Sequence, residues 1–259
     1  MNYPVITTIK EQQLENKYVK TIIFEHKEKI KPGQFYMIWI PGTDEIPMSV
    51  SYITKNAKGI TFRRVGEATN ALFNFEEGDK IGIRGPYGNG FNINGKRILF
   101  VGGGTGVAML APAAEEALTN NISSTFVIGV KTSSELFFED RLKNCGSEIH
   151  ISTDDGSKGY KGFATDIVDE LLIKEKFTSV LTCGPEIMMK GLFDSCNDIP
   201  FQASLERYMK CGVGICSQCC IDKGMRVCVE GPVFDGKTLK KIDDFGVYKR
   251  DASGRKIKF

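Results

Sequence analysis

The chain has 259 residues, of which 41% are hydrophobic and 25% are charged, a composition typical of a globular protein and not of a disordered one. Its 34 basic and 32 acidic residues give a net charge of +2, which excludes the strong positive field that nucleic-acid-binding proteins use. The longest uncharged run, residues 98–114, has 17 residues including four glycines, and is too short for a membrane span of roughly 20 apolar residues.

The N-terminal stretch MNYPVITTIKEQQ lacks the basic start and the apolar core of a secretory signal. We therefore expect a cytoplasmic protein with no membrane or nucleic-acid partner. In the reducing cytoplasm, clustered cysteines are more often metal ligands or catalytic groups than disulfides.

Residues 1–95 alternate short β-branched and aromatic runs with turns made of Gly, Pro, Asn and Lys. The runs are YVKTIIFEH, QFYMIWI, SVSYI, GITFRRV and DKIGIRG. Several short strands separated by such turns are typical of a small antiparallel barrel. The sequence therefore predicts a β-barrel domain over residues 1–95.

Residues 96–203 alternate strands with helices. The predicted strands are RILFVGGG, STFVIGV, EIHIST and SVLTCG, with FQASL as a last strand, and the predicted helices include GVAMLAPAAEEAL and ATDIVDELLIKE. This alternation predicts an α/β domain with a doubly wound parallel sheet.

Two turns at the carboxyl ends of these strands predict a nucleotide site, because α/β proteins bind ligands at that edge of the sheet and helix N-termini there offer free amides to a pyrophosphate. The first turn departs from the strict G-x-G-x-x-G spacing, and a tight packing turn is the alternative explanation for its glycines. The predicted binding residues are Gly102, Gly103, Gly104, Thr105 and Gly106 in the first turn and Cys183, Gly184 and Pro185 in the second.

Four cysteines near the C-terminus have the spacing C-x4-C-x2-C-x8-C, which is the plant-type [2Fe-2S] pattern. The predicted ligands are Cys211, Cys216, Cys219 and Cys228. Gly212 and Gly214 allow the loop to curl and turn its amides toward the sulfur atoms. Zinc is the competing interpretation, but zinc ribbons usually present two matched C-x2-C pairs. Cys220 is expected to point elsewhere, and the basic tail after it is expected to be solvated.

A nucleotide domain beside a one-electron cluster implies a third cofactor. NAD(P)H gives two electrons as a hydride, whereas a [2Fe-2S] cluster accepts one electron at a time. A flavin converts between the two modes, so we expect the barrel to bind a flavin.

The segments IPMSVS, FRRVGEAT, RGPYGNGF, VGGGTG, STDDGS and TCGP, in that order, resemble the ferredoxin-NAD(P) reductase superfamily over roughly residues 1–205. More narrowly, SLERYMKCGVGICSQCC and RVCVEGPVF resemble the electron-transfer subunits of type B dihydroorotate dehydrogenases. The resemblance implies an FAD-binding β-barrel domain at 1–95, an NAD-binding α/β domain at 96–203 and a [2Fe-2S] domain at 204–259.

The resemblance also implies flavin-binding residues in the barrel. Those expected to line the flavin or meet its pyrophosphate are Pro47, Met48, Ser49, Phe62, Arg63, Ala68 and Thr69. The Thr69 hydroxyl is expected to cap a helix over NALFNF and to face phosphate. Ile46 stands where the superfamily usually has an arginine, so either Arg63 or Arg64 replaces that phosphate partner, or FAD binds more weakly, or a smaller flavin such as FMN binds.

The function implied by the resemblance is electron transfer in pyrimidine (UMP) biosynthesis. Electrons would pass from an FMN-containing dihydroorotate dehydrogenase catalytic subunit to the cluster, then to FAD and NAD, in a heterotetramer with two copies of each chain. No catalytic base is predicted in this chain, which should not oxidise dihydroorotate alone.

Two alternatives remain open from the sequence. The first is a reductase subunit of a hydrogenase or of a ferredoxin:NADP enzyme, although small subunits of the latter commonly have Asp as the first cluster ligand where this chain has Cys211. The second is a non-catalytic metal-binding module that only docks a partner.

Overall fold

The structure, a computed structural model, describes residues 3–196 and 198–259. Met1, Asn2 and Asn197 fall within the predicted domains but lie outside the described residues. Two sheets organise the described chain: a closed antiparallel barrel of six strands and a mixed sheet of seven. Within the two described ranges, no helix has both the length and the apolar character that crossing a bilayer requires.

The barrel confirms the fold predicted for the first part of the chain. Its strands follow the order β1-β2-β5-β4-β3-β6, and every pairing between neighbours is antiparallel. The elements are β1 (Val5–Asn16), β2 (Val19–Glu25), β3 (Phe35–Ile40), β4 (Asp44–Ile53), β5 (Ala57–Arg63), helix α1 (Glu67–Phe73) and β6 (Lys80–Tyr87).

The sequence did not indicate β1. Only Ile9 of its twelve residues is fully buried, so the strand lacks the regular apolar alternation that marks a half-buried strand. Its place is set by pairing, because β1 bonds to β2 along one part and to β6 along the other and so closes the barrel.

The second unit has the predicted alternation of strands and helices. Its parallel strands follow the order β10-β9-β8-β7-β11-β12. The elements are β7 (Arg97–Gly103), α2 (Gly106–Thr119), β8 (Ser123–Val130), a 3-10 turn (Ser133–Glu135), α3 (Glu139–Asn144), β9 (Glu148–Thr153), β10 (Tyr160–Lys161), α4 (Ala164–Lys174), β11 (Ser179–Cys183), α5 (Glu186–Ser195) and β12 (Phe201–Ser204).

The C-terminal segment folds around the cysteine loop and returns to the α/β sheet. Its short elements are β13 (Cys220–Ile221), β14 (Met225–Arg226), β15 (Val233–Asp235), α6 (Gly236–Leu239), β16 (Tyr248–Arg250) and β17 (Lys256–Lys258). Strand β15 pairs antiparallel with β12 and becomes the seventh strand of the sheet. The sheet is therefore mixed at this edge.

The basic tail is folded, and seven of its eight Lys and Arg residues are exposed, as expected of a solvated tail. Strands β16 and β17 form a hairpin that packs beside the cysteine loop. The Arg250 guanidinium donates to the Cys220 carbonyl oxygen at 3.2 Å, and the Gln218 amide donates to the Asp251 carbonyl oxygen at 2.9 Å.

One hydrophobic core joins the three units. It contains Met37 from the barrel, Leu99 and Val180 from the sheet, and Cys219 and Cys228 from the cysteine loop. Because these side chains bury one another, the barrel, the sheet and the cysteine loop occupy fixed positions around the functional site.

Candidate functional site

A cavity of about 350 Å³ lies where the barrel, the carboxyl edge of the sheet and the segment after β12 meet. Apolar side chains, among them Met48, Met109 and Met209, line part of its wall. Polar groups face it from several elements, including Ser49 and Thr105. An apolar pocket with a few convergent polar groups is the usual form of a cofactor site.

Nine of the sequence-predicted cofactor residues line this cavity, and they come from both units. They are Pro47, Met48, Ser49, Phe62, Arg63, Thr69, Thr105, Gly106 and Cys183. The predicted residues outside its lining are Ala68, Gly102, Gly103, Gly104, Gly184 and Pro185. The residues predicted to bind the flavin and those predicted to bind the nucleotide thus line the same cavity.

Arg63 faces the cavity but already has a partner. Its guanidinium donates to the Glu135 carboxylate at 2.9 Å, which links β5 to the 3-10 turn of the sheet unit. Arg64 is exposed and lies over the rings of Tyr18 and Phe73, at 5.7 and 4.9 Å from their centroids. Replacement of the arginine missing at Ile46 by either residue stays a prediction.

Thr69 lies inside helix α1 and is not its N-cap, because the helix begins three residues earlier than the sequence indicated. Gly66 is the N-cap, and the Thr69 hydroxyl accepts hydrogen bonds from the amides of Val65 and Gly66 at 2.9 and 3.0 Å. Thr69 therefore holds the turn from within the helix. Gly66 was not recognised as the N-cap because glycine has no side chain that could accept a capping hydrogen bond.

The two nucleotide-type turns pack directly against each other. A Cβ atom at Gly103 would lie 2.6 Å from Pro185 Cδ, and one at Gly184 would lie 2.8 Å from Gly103 Cα. These glycines serve close backbone packing, as the alternative explanation held. Gly104 differs, because its φ of +54° is left-handed and the space beside it is open.

Three titratable or polar side chains from different elements meet inside the cavity: Ser49, Cys183 and Glu206. Burial raises the pKa of the Cys183 thiol well above its ordinary value, so this thiol is neutral at physiological pH. The Glu206 carboxyl group is reached by solvent from the cavity, yet the surrounding protein raises its pKa.

Sequence reasoning missed several cavity residues: Phe35, Ser204, Glu206, Arg207 and Met209. Ser204 is the last residue of β12, and the three that come after it lie between the α/β domain and the cysteine loop. The available signal was their position, because a last parallel strand also ends at the carboxyl edge where α/β proteins bind ligands.

The cysteine loop has the curled backbone that its glycines predicted. Gly212 and Gly214 have φ values of +71° and +79°. The Cys211 sulfur accepts hydrogen bonds from the amides of Val213, Ile215 and Cys216 at 3.4–3.5 Å. Although burial opposes the effect, these amides lower the pKa of Cys211 to about 6, which favours the thiolate that a metal requires.

The four predicted ligands meet as two pairs. Cys211 interacts with Cys216, and Cys228 interacts with Cys219, whose sulfur also accepts the Cys228 amide at 3.4 Å. Among the residues of the two described ranges, no three His, Cys, Asp or Glu side chains converge as ligands of a single metal ion. A two-iron cluster needs two thiolates on each iron, and the two pairs fit that need.

Cys220 behaves as expected of a non-ligand. It lies in β13, and its sulfur faces the Gly224 carbonyl oxygen at 3.7 Å across the hairpin turn. Cys145 and Cys196 are buried, as small apolar residues would be.

The cavity and the cysteine loop are neighbours. Met209 lines the cavity and lies two residues before Cys211. On the barrel side, Phe35 lines the cavity and its ring lies 5.9 Å from that of Tyr87, while a Cβ atom at Gly212 would lie 3.5 Å from Tyr87 Cδ2. Only a thin layer of side chains separates the two sites.

A larger open groove of about 1030 Å³ lies between β1, β4, α2 and α3. None of the predicted cofactor residues lines it. Two of its glutamates form ion pairs, Glu115 with Arg141 at 2.7 Å and Glu139 with Lys158 at 2.6 Å, and Glu15 accepts a hydrogen bond from the Thr21 hydroxyl at 2.6 Å. We therefore assign the functional site to the smaller cavity.

Two family models match the chain. The model described as the iron-sulfur cluster binding domain of dihydroorotate dehydrogenase B matches residues 206–240, and the model described as the oxidoreductase NAD-binding domain matches residues 100–193. The first range contains all four predicted cluster ligands, and the second contains both nucleotide-type turns.

Curated relatives resemble the chain along nearly its whole length. A protein of Methanocaldococcus jannaschii is 49% identical over 99% of both chains, and one of Methanothermobacter thermautotrophicus is 46% identical over 99% of this chain and 98% of its own. Both are named as probable electron transfer subunits of dihydroorotate dehydrogenase B (NAD(+)).

The fold also matches a solved structure. A chain of the NADH-dependent reduced ferredoxin-NADP oxidoreductase superposes with a TM-score of 0.81 and 30% identity, over 92% of this chain and 90% of the other. This match confirms the reductase fold, and the higher identity to the curated relatives distinguishes between the two enzyme classes. The protein therefore belongs to the family of electron transfer subunits of dihydroorotate dehydrogenase B.

Proposed function

We propose that this chain is the oxidoreductase subunit that transfers electrons between a separate dihydroorotate-oxidising subunit and NAD+, and that it holds FAD and a [2Fe-2S] cluster for this purpose. The observation that carries the proposal is the adjacency of the two sites, because Met209 lines the cavity and lies two residues before the first predicted cluster ligand. The names of the full-length relatives support the same role.

The flavin assignment rests on the cavity's own groups. Pro47, Met48 and Phe35 form an apolar wall on the barrel side, while Thr105 and Ser49 offer hydrogen bonds. A flavin in this position supplies the conversion between hydride and single-electron transfer. The side chains of the cavity orient the reactants and keep water away from them.

Two titratable residues of the cavity, Cys183 and Glu206, can hold protons beside the bound cofactors. Cys183 is a neutral thiol at the carboxyl end of β11, where the second nucleotide-type turn begins. The raised pKa of Glu206 lets its carboxyl oxygen hold a proton closer to neutral pH than a fully hydrated glutamate does.

We assign the four cysteines to the cluster in two pairs. Cys211 and Cys216 would bind one iron, and Cys219 and Cys228 the other, because these are the pairs that contact each other. The three amides that donate to Cys211 stabilise negative charge on its sulfur, as is usual for cluster ligands.

We place the partner, an FMN-containing catalytic subunit in a heterotetramer of two copies each, against the cysteine loop. Ile215 is 81% exposed and adjoins the exposed Cys216, and Val229 nearby is 39% exposed. Small and apolar groups at a ligand loop suit close approach of another protein. All eight cysteines are free, which suits a protein of the reducing cytoplasm, where we expect it to act in pyrimidine biosynthesis.

Two measurements on the purified chain test the cofactors. Released flavin should be FAD, and iron and acid-labile sulfide should each approach about two per chain, as the cluster's formula requires. Stoichiometric zinc without sulfide would refute the cluster, and release of FMN would refute the assignment of FAD.

Two assays test the role. The isolated chain should reduce an artificial dye with NADH, because hydride transfer requires only the barrel and the α/β domain. It should form no NADH from dihydroorotate and NAD+ until the catalytic subunit is added. Dihydroorotate oxidation by the isolated chain would contradict the proposal.

A further inference from the structure

Arg84 connects the barrel to the first predicted cluster ligand across 127 positions of sequence. Its Nη2 atom donates to the Cys211 carbonyl oxygen at 3.2 Å. Its Nε and Nη2 atoms also donate to the two oxygens of Glu45 at 2.7 and 2.5 Å. The guanidinium thus bridges a barrel carboxylate and the backbone of the ligand loop.

The surrounding packing holds this bridge in place. The Arg84 guanidinium lies 5.8 Å from the centroid of the Tyr87 ring. Under the loop, a Cβ atom at Gly212 would lie 2.8 Å from Met37 Cγ. The loop therefore rests on the barrel wall with no room for a side chain at Gly212, and Arg84 secures its edge.

The charges of Arg84 and Glu45 also act on the electrostatic potential at the ligand loop. The Arg84 and Glu45 side chains are only 12% and 22% exposed, so solvent screens their charges weakly. One-electron reduction makes a cluster one unit more negative, and a nearby cation stabilises that added charge whereas a nearby anion opposes it. Net charge and hydrogen bonding around the ligands are the levers that set cluster potentials.

We propose that Arg84 is a positioning residue for the Cys211 loop and that the Arg84–Glu45 pair sets the reduction potential of the cluster. The inference rests on the proposed function only in that the four cysteines hold a [2Fe-2S] cluster. Arg84 raises the potential of that cluster, and Glu45 partly offsets this effect.

The test is a redox titration of the holoprotein, in which mediators supply the electron and the EPR signal of the reduced cluster is followed. Arg84→Gln should shift the midpoint potential downward, Glu45→Gln should shift it upward, and Arg84→Lys should remain closest to the native value. Arg141→Gln is the matched control, because Arg141 is similarly buried at 14% exposure and pairs with Glu115 of helix α2 rather than with the loop.

Opposite shifts from the two members of one ion pair distinguish a charge effect from simple loosening, which would move the potential in one direction for both. Shifts of the same sign, or shifts no larger than that of Arg141→Gln, overturn the inference. If Arg84→Gln fails to retain iron, Glu45→Gln decides alone, and an unchanged or lowered potential then refutes the inference. A native protein without a cluster signal would instead refute the proposed function.

Discussion

The Cys183 carbonyl group occupies the space that a side chain at Gly106 would need: a Cβ atom there would lie 2.5 Å from the Cys183 carbonyl carbon and 2.8 Å from Gly184 N. The contact joins the two nucleotide-type turns, which come from β7–α2 and β11–α5. Because both groups in contact belong to the backbone, neither turn can yield by rotating a side chain.

Gly106→Ala should therefore destabilise the protein. We expect the free energy of unfolding to fall by about 1–3 kcal/mol, the usual cost of overpacking, as measured by urea denaturation. Gly191→Ala is the matched control. It lies within α5 with only Thr165 Cγ2 nearby, at 3.7 Å, and should raise stability by about 0.4–1 kcal/mol. Equal effects at both sites would contradict the packing argument.

Replacing the cluster ligands one at a time tests the ligand set. Serine is a harder and less readily deprotonated ligand than cysteine, so Cys211→Ser, Cys216→Ser, Cys219→Ser and Cys228→Ser should each lower iron and sulfide content and bleach the visible spectrum. Cys220→Ser should keep the native spectrum. A cluster that survives Cys219→Ser but is lost in Cys220→Ser would move the ligand assignment by one residue.

Glu206 should make the stability of the flavin-free chain depend on pH. The carboxyl group is open to the cavity, but the protein around it partly desolvates it and so raises its folded-state pKa above the usual value of 4.5. The folded state therefore binds the proton more tightly than the unfolded state. Its contribution to stability is thus full below pH 4.5 and is lost as pH rises through the folded-state pKa. Glu206→Gln should be more stable than the native chain at neutral pH, with the difference vanishing in acid. Thermal melts across that range provide the check, and a constant difference would contradict it.

A buried ion pair joins α5 to the C-terminal segment. The Arg207 and Glu186 side chains are 1% and 4% exposed, and Glu186 also accepts the Gly246 amide at 3.0 Å. Removing one partner leaves an uncompensated buried charge, so Glu186→Ala should cost about 3–5 kcal/mol in urea unfolding.

The double variant Glu186→Met with Arg207→Met is the control for that pair. Exchange of a whole buried pair for apolar groups is often close to neutral, so the double variant should recover much of the loss. Additive losses would mean that the two residues act independently.

Ile215 should matter for partner binding and not for hydride transfer. Its side chain is 81% exposed beside the cluster ligands, and burial of an apolar anchor at an interface centre is commonly worth about 1–2 kcal/mol or more. Ile215→Asp should weaken binding of the catalytic subunit by about tenfold, measured by calorimetry, and leave NADH-driven dye reduction unchanged. Ile173→Asp, at an 86% exposed position on α4, should change neither, and equal weakening by both would argue against this interface.

Features that depend on residues close together in the sequence could be predicted from the sequence alone. Strand and helix periodicity predicted the barrel and the parallel sheet, and both are confirmed. Several strands that escaped prediction depend on pairing for their positions. Strand β1 buries only Ile9, and β15, three residues long, is defined by its antiparallel contact with β12. Short or mostly exposed strands carry too little periodicity to be recognised.

By itself, the sequence indicated the chemistry of the cysteine loop, because the C-x4-C-x2-C spacing places three thiols within nine consecutive residues and the two glycines let that segment curl. Only the tertiary structure decided that Arg84 reaches the Cys211 carbonyl, that Glu206 and Cys183 line one cavity, and that Met37 lies under Gly212. Contacts of this kind join residues up to 127 positions apart in the sequence. Local spacing cannot predict them, because strand register and burial in the common core bring these residues together.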